Sequence, residues 1–401
     1  MAPLFGPPDI DKLKAKKDVG GLITALRYKK DVKIRQVAAQ TLGELGALQA
    51  VPPLLQATRD HELRVRLVSI ISLGKIGDPQ ATDSMIQALQ DDNALIRECA
   101  VEALGKIKNI QDVAPILSLL HDTSSSVRHK AAEALGKIGD VKAIPSLIET
   151  LQDPEADVRA CAAESLGELG ASQATQQLIG ALQDTNGHVR RAAARALAKI
   201  DSDDAVEPLI ERLGDQDKWV RCAAIKALGT SLAPQVVAPL VALLRESDPD
   251  VCTTTVDALV RIGQPTVETL IASLDANAPQ ATRHMVEALG RIGHTQAVVP
   301  LVGLLQTEDT MLHEKVAEAL GQIGDDQAVE PLIDTLNNDM ERLARIAVIQ
   351  ALGKLGDGRA VEPLQAMRDN SDMRIHKAAV HALNELGVSQ PFAHSSDKKR
   401  A

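Results

Sequence analysis

One motif recurs in this chain at a nearly fixed interval, and the interval decides what the chain can fold into. In LHEKVAEALGQIGD (312–325), take the Gly of ALGQIG, Gly321, as position zero. The matching residues elsewhere are Gly43, Gly74, Gly105, Gly136, Gly167, Ala198, Gly229, Val260, Gly290, Gly353 and Asn384. The spacing is 31 residues, slipping once to 30 and once to 32. Twelve copies fill about residues 18–387. A period of this length marks a repeat architecture, in which each unit buries its apolar face only by stacking on its neighbours.

Each slot in the copy has a physical reading. The residue before zero is Leu in all twelve copies, and the one before that is always Ala, Ser or Thr. The residues four and nine before zero are always apolar. Ile or Leu stands two after zero in eleven copies, Ser231 being the exception. Together these offsets describe one face of an α-helix. Gly stands three after zero in nine copies, where a left-handed helix cap is expected. The Gly at zero lies inside the helix and costs about 1 kcal/mol against Ala. Its recurrence predicts a neighbouring backbone too close to admit a side chain.

The other half of each copy reads like AVEPLIDTL (328–336), again with helical spacing. Pro stands just before an apolar Leu or Ile in seven copies: Pro53, Pro115, Pro208, Pro239, Pro300, Pro331 and Pro363. A first helical turn tolerates Pro, because its missing N–H would be unpaired anyway. Each copy is therefore a helix A, a polar turn and a helix B. The pattern predicts an all-α fold, a right-handed α-solenoid of about twelve helix-pair repeats. The period is too short for tetratricopeptide units, whose aromatic anchors are also missing. The ankyrin TPLH motif and any strand pattern are absent too.

Composition fits thin helical layers. Aromatic residues are only 1% of the chain, so Ala, Leu, Ile and Val must build the core. The net charge of −10 argues against nucleic acid as a partner, because phosphate contacts need a basic surface. Cys99, Cys161, Cys222 and Cys252 form no CxxC pair, which suits a reduced, cytoplasmic protein. No apolar run approaches the ~20 residues of a membrane span. The opening MAPLFGPPDIDKLKAKK has no apolar core like that of a secretion signal. The expected organisation is a leader or cap at 1–17, the solenoid at 18–387 and a disordered tail at 388–401, in a monomer.

The copy VRHKAAEALGKIGDVKAIPSLIETLQD (127–153) resembles the HEAT-like repeat of the phycobilisome-lyase type. The resemblance covers nearly the whole chain. It implies the α-solenoid fold. For function it implies a spread: adaptor proteins, bilin lyase subunits, a metal-dependent deoxyhypusine hydroxylase and some DNA-binding glycosylases. The hydroxylase pattern resembles VRHEAAEALG, with His-Glu directly after Val-Arg. None of the twelve copies here has His-Glu in those slots, and the nearest is His129-Lys130. His313-Glu314 is out of register, and His61-Glu62 lies in a turn. No phosphate loop, dinucleotide fingerprint, HExxH or nucleophile elbow is present. The sequence therefore points to no catalytic residue, no metal and no cofactor.

Two sets of charged residues stand out. Eight before zero, Arg fills eight copies: Arg35, Arg66, Arg97, Arg128, Arg159, Arg190, Arg221 and Arg345. His313 and His376 take the same slot. Acids four residues earlier, such as Asp31, Glu62, Glu155, Asp217 and Asp248, suggest a structural ion-pair ladder between copies. The second set is local. Arg191, Arg195 and Lys199 are spaced i, i+4, i+8, and Trp219 and Lys226 follow in the next copy. Like charges at that spacing are mildly destabilising. They are candidates for a partner-binding patch facing an acidic protein segment or another polyanion, unless Glu164 and Asp257 neutralise them. Helix B is expected to line the concave face. The resulting expectation is a non-enzymatic scaffold that presents helix B residues to a protein partner. The alternatives are a hydroxylase-like or lyase-like enzyme, or a polyanion binder.

Overall fold

The computed structural model describes residues 7–108, 110–307, 309–336 and 340–388. The described residues form α-helices and short 3-10 turns, with no strand among them. A short helix, Ile10–Ala15, precedes the first pair, Val19–Leu26 and Val32–Glu44. Helices A and B then alternate to the last pair, Val361–Arg368 and Met373–Glu385. The expected all-α repeat fold is therefore observed. Residues 1–6 of the leader and 389–401 of the tail lie outside the described residues. The chain divides into two compact units, Met1–Pro208 and Leu209–Ala401.

Local chemistry sets the ends of the helices. Helix A is entered through a 3-10 turn, as Val141–Ala143 runs into Ile144–Thr150 with Pro145 in its first turn. Helix B starts at an extended residue whose side chain caps it in several copies. Asp31 accepts from the Lys33 N–H, Asn93 from Leu95 and Asn186 from His188. All nine Gly residues three after zero have positive φ, between 61° and 82°. In two further copies Lys108 and Asp201 occupy the same left-handed position without Gly.

The Gly at zero is explained by the next copy. A Cβ on Gly74 would lie 3.0 Å from the Cα of Ala103, and one on Gly167 would lie 2.7 Å from the Cα of Ala196. In the second unit a Cβ on Gly290 would stand 2.7 Å from the Cα of Ala319. Each of these partners is the small residue two before zero of the following copy. The Gly and the small residue are two halves of one contact. Helices B approach there backbone to backbone, and Leu42, Leu73, Leu104 and Leu135 fill the layers beside the crossings with no exposed surface.

Candidate interaction surface

The Arg slot builds the scaffold of the face. In the first unit the Arg97 guanidinium donates to both oxygens of Asp122, at 2.7 and 2.8 Å. Arg128 grips Asp153 in the same way at 2.6 and 2.9 Å, Arg159 grips Asp184 at 2.7 and 2.9 Å, and Arg35 grips Asp60 at 2.9 and 3.1 Å. In each pair the Asp lies 25 residues further on, in the turn of the next copy. The third guanidinium nitrogen donates to a carbonyl of the Arg's own turn, as Arg128 does to Asp122 O at 3.0 Å and Arg190 to Asp184 O at 2.9 Å. Each Asp also accepts a backbone N–H two residues on, as Asp153 does from Glu155. Turn, Arg and next turn are thus riveted in sequence. Burial pushes the carboxyls of Asp122 and Asp153 upward, but the guanidinium and backbone hydrogen bonds outweigh it and hold both below the usual range.

This corrects the expected pairing. The acids four residues before the Arg serve the helix start instead. Asp31, Asp217 and Asp248 accept N–H groups of the first helical turn, and Glu62 and Glu155 make no side-chain cap bond. A side chain near a helix start points back toward the N-terminus. The Arg therefore reaches the turns and not its own first turn's acid.

The other slot residues cap the turn in their own ways. Arg66 donates to Asp60 O and His61 O at 3.0 and 3.2 Å, with no carboxylate at ion-pair distance among the described residues. Arg221 donates to Asp215 O and lies 3.3 Å from Glu246. Arg345 lies in the first turn of Arg342–Leu355 in the second unit and donates its backbone N–H to Glu341 O. Where Arg is replaced, the capping persists: Cys252 Sγ lies 3.3 Å from Glu246 O, and Thr282 Oγ1 lies 2.7 Å from Asp275 O. His313 Nε2 lies 3.5 Å from Thr307 Oγ1, and His376 Nδ1 bonds Arg368 O. His313 is thus a turn cap. Among the described residues no three His, Cys, Asp or Glu side chains converge as a metal site requires. Burial pushes the Cys161 thiol up to about 12 and the Cys99 thiol to about 11, so both stay protonated at neutral pH.

The outward face of helix B differs from copy to copy. In the first unit a groove of about 430 Å³ crosses the helix B starts, between Glu98 and Arg191. Lys130 and Lys137 within this face both bond Glu133, at 2.8 and 2.5 Å. Burial alone would raise the Glu133 carboxyl, but the two ammonium groups hold it down at about 2. Arg191, Arg195 and Lys199 are placed differently on Gly187–Ile200. Arg195 has Glu164 at 4.0 Å, with both side chains more than half exposed. Arg191 and Lys199 have no carboxylate at ion-pair distance among the described residues. In the second unit Trp219 is 51% exposed, and Lys218 Nζ lies 4.8 Å from its ring centroid. Lys218 also bonds Asp250 at 2.6 Å. Lys226 is exposed on the same helix. Asp257, the expected neutralising acid, is bonded by Arg291 at 2.8 Å.

The sequence matches the family described as HEAT repeats over residues 19–105, 82–160, 144–219, 206–284, 267–345 and 329–394. The chain belongs to the HEAT-repeat family. No curated protein matches it. Solved structures share the HEAT-repeat fold at low identity. Kap95p, from work on its binding to RanGDP, is 15% identical with a TM-score of 0.62, and the match covers 92% of this chain and 60% of that one. Kap121p bound to Ste12p is 13% identical with a TM-score of 0.65, covering 94% and 49%. Importin beta is 12% identical with a TM-score of 0.56, covering 94% and 63%. The HEAT-repeat chain thus spans 49–63% of the length of these structures, and the likeness is one of fold. Among its described residues no helix is long and apolar enough to cross a membrane.

Proposed function

We propose that this HEAT-repeat protein is a non-enzymatic scaffold that holds an acidic segment of a protein partner on its helix B face. The observation that carries this reading is the state of the cations on Gly187–Ile200. Lys130 and Lys137 are spent on Glu133, whereas among the described residues Arg191 and Lys199 have no carboxylate at ion-pair distance and Arg195 has only a distant, exposed one. Such an exposed pair contributes at most about 1 kcal/mol. A row of like charges on one helix is costly to the fold and favourable to an anionic guest. The second unit by itself also exposes Trp219 and Lys226 on one helix B. Two neighbours of the same fold are described with protein partners, Kap95p with RanGDP and Kap121p with Ste12p, which supports the reading by analogy only. The phycobilisome-lyase subtype is supported by the VRHKAAEALGKIG copy, and a cytoplasmic setting by four free thiols.

The test is capture of native partners by the tagged chain, quantified by mass spectrometry. Arg191→Glu with Arg195→Glu and Lys199→Glu should deplete a defined set of acidic proteins by about tenfold, with helicity unchanged. Capture identical to that of the parent chain would end the proposal.

A further inference from the structure

A second feature of the first unit lies away from the helix B face. At the junction of the first two copies a pocket of about 410 Å³ opens to solvent. Leu26, Pro53 and Ala57 form its apolar wall, and Leu26 and Ala57 are buried. Arg27 and Lys29 stand on its rim, both exposed. Neither has a carboxylate at ion-pair distance among the described residues. Arg35 and Asp60 also line the pocket, and they neutralise each other through two hydrogen bonds of 2.9 and 3.1 Å.

The pocket coincides with a departure from the repeat. The residue 16 before zero is Leu in the third to sixth copies, and these four, Leu89, Leu120, Leu151 and Leu182, are at most 3% exposed. In the first copy that position is Arg27, and in the second it is Thr58, whose hydroxyl turns to Leu55 O. A buried layer residue has given way to an exposed cation where the pocket opens.

We infer that this pocket binds an acidic peptide segment of another protein through one apolar side chain seated on Leu26, Pro53 and Ala57, with the flanking carboxylates held by Arg27 and Lys29. The volume is within the range of ligand sites, about 300–1,000 Å³. The charge layout selects a peptide over a small carboxylate. The cation inside, Arg35, is already satisfied by Asp60, while the unsatisfied cations lie outside, where residues flanking an anchor would run. The same layout disfavours the chain's own ends. Residues 1–6, MAPLFG, carry no acid, and residues 389–401 carry Lys398, Lys399 and Arg400 against the single Asp397.

The probe is a fluorescein-labelled pentapeptide, Glu-Asp-Leu-Glu-Asp, followed by anisotropy with the full chain. Saturable binding is expected below about 1 mM. Arg27→Glu with Lys29→Glu, both exposed and so harmless to the fold, should weaken it about tenfold, as should serine in place of the central leucine. Arg27→Leu, which restores the residue of the third to sixth copies, should also weaken it while preserving the thermal midpoint. Reversal at Arg191 and Arg195 should leave it unchanged, which separates this site from the helix B proposal. No saturable binding, or binding indifferent to the rim reversal, would overturn the inference. So would loss on reversal of Arg191 and Arg195 alone. Binding seen only after removal of residues 1–6 would make the leader the occupant, and rim-dependent self-association without peptide binding would make it a second copy. Either outcome also overturns it.

Discussion

Arg97 holds Asp122 through two parallel hydrogen bonds of 2.7 and 2.8 Å across 25 residues of sequence, and both side chains are at least 86% buried. A bidentate guanidinium–carboxylate pair is among the stronger polar contacts, and at this depth it is costly to break from one side. Asp122→Ala leaves Arg97 without its carboxylate and the Ser124 N–H without its acceptor. The variant should lose about 3 kcal/mol in urea unfolding. A loss below about 1 kcal/mol would mean that the pair behaves as a surface salt bridge.

Two glycines test the close crossing. A Cβ on Gly167 meets the Ala196 backbone at 2.7 Å, whereas one on Gly180 meets nothing within 4 Å. Gly167→Ala should destabilise by about 1–3 kcal/mol, because overpacking outweighs the gain in helix propensity. Gly180→Ala, in a helix A, should stabilise by about 0.5–1 kcal/mol. Thermal midpoints of the two variants should move in opposite directions.

Acid should loosen the first unit before neutral or mildly basic pH does. Asp60, Asp122, Asp153 and Asp184 all titrate below their ordinary value, and Glu133 does so at about 2. A carboxyl with a depressed folded pKa contributes stability above its unfolded value, near 4, and loses it as pH falls through the folded value. The thermal midpoint should be flat from neutral pH to about 5 and should fall steadily from about 4 toward 2. Asp122→Asn should start lower and fall less steeply. A midpoint unchanged down to pH 2 would refute the assignment.

Asp201 caps its helix B at φ 54°, ψ 62°, a positive-φ position that nine other copies give to Gly. Asp201→Gly should raise stability by about 0.5–1 kcal/mol. The effect is read from the urea midpoint at constant slope.

Much of this architecture is written in the sequence because each slot repeats. The left-handed Gly, the Gly at zero and its small partner each obey a local rule, and a 31-residue period displays the rule many times. The Arg pairing was harder to read. An acid four residues away on the same helix is the nearest partner in sequence, yet the Arg side chain points toward the turns. The signal was present all the same: Asp60, Asp91, Asp122, Asp153, Asp184 and Asp215 recur every 31 residues, each 25 after an Arg. The pocket at Arg27 is legible only as a departure from the neighbouring copies, an Arg where the third to sixth have a buried Leu. Its walls come from different copies, so no single stretch reveals them.

The rivets also set how the chain answers a pull. In the first unit, Arg97, Arg128 and Arg159 each tie a turn to the next copy, so neighbouring copies cannot slide without breaking a pair of charged hydrogen bonds. In the second unit the same slot holds Cys252, Thr282 and His313 in three consecutive copies, and each bonds only its own turn. Among the described residues those three copies lack such a double pair, and the Arg291–Asp257 contact between two of them is a single hydrogen bond of 2.8 Å between partly exposed side chains. The expected consequence is that tension parts these three copies of the second unit more readily than the doubly bonded copies of the first.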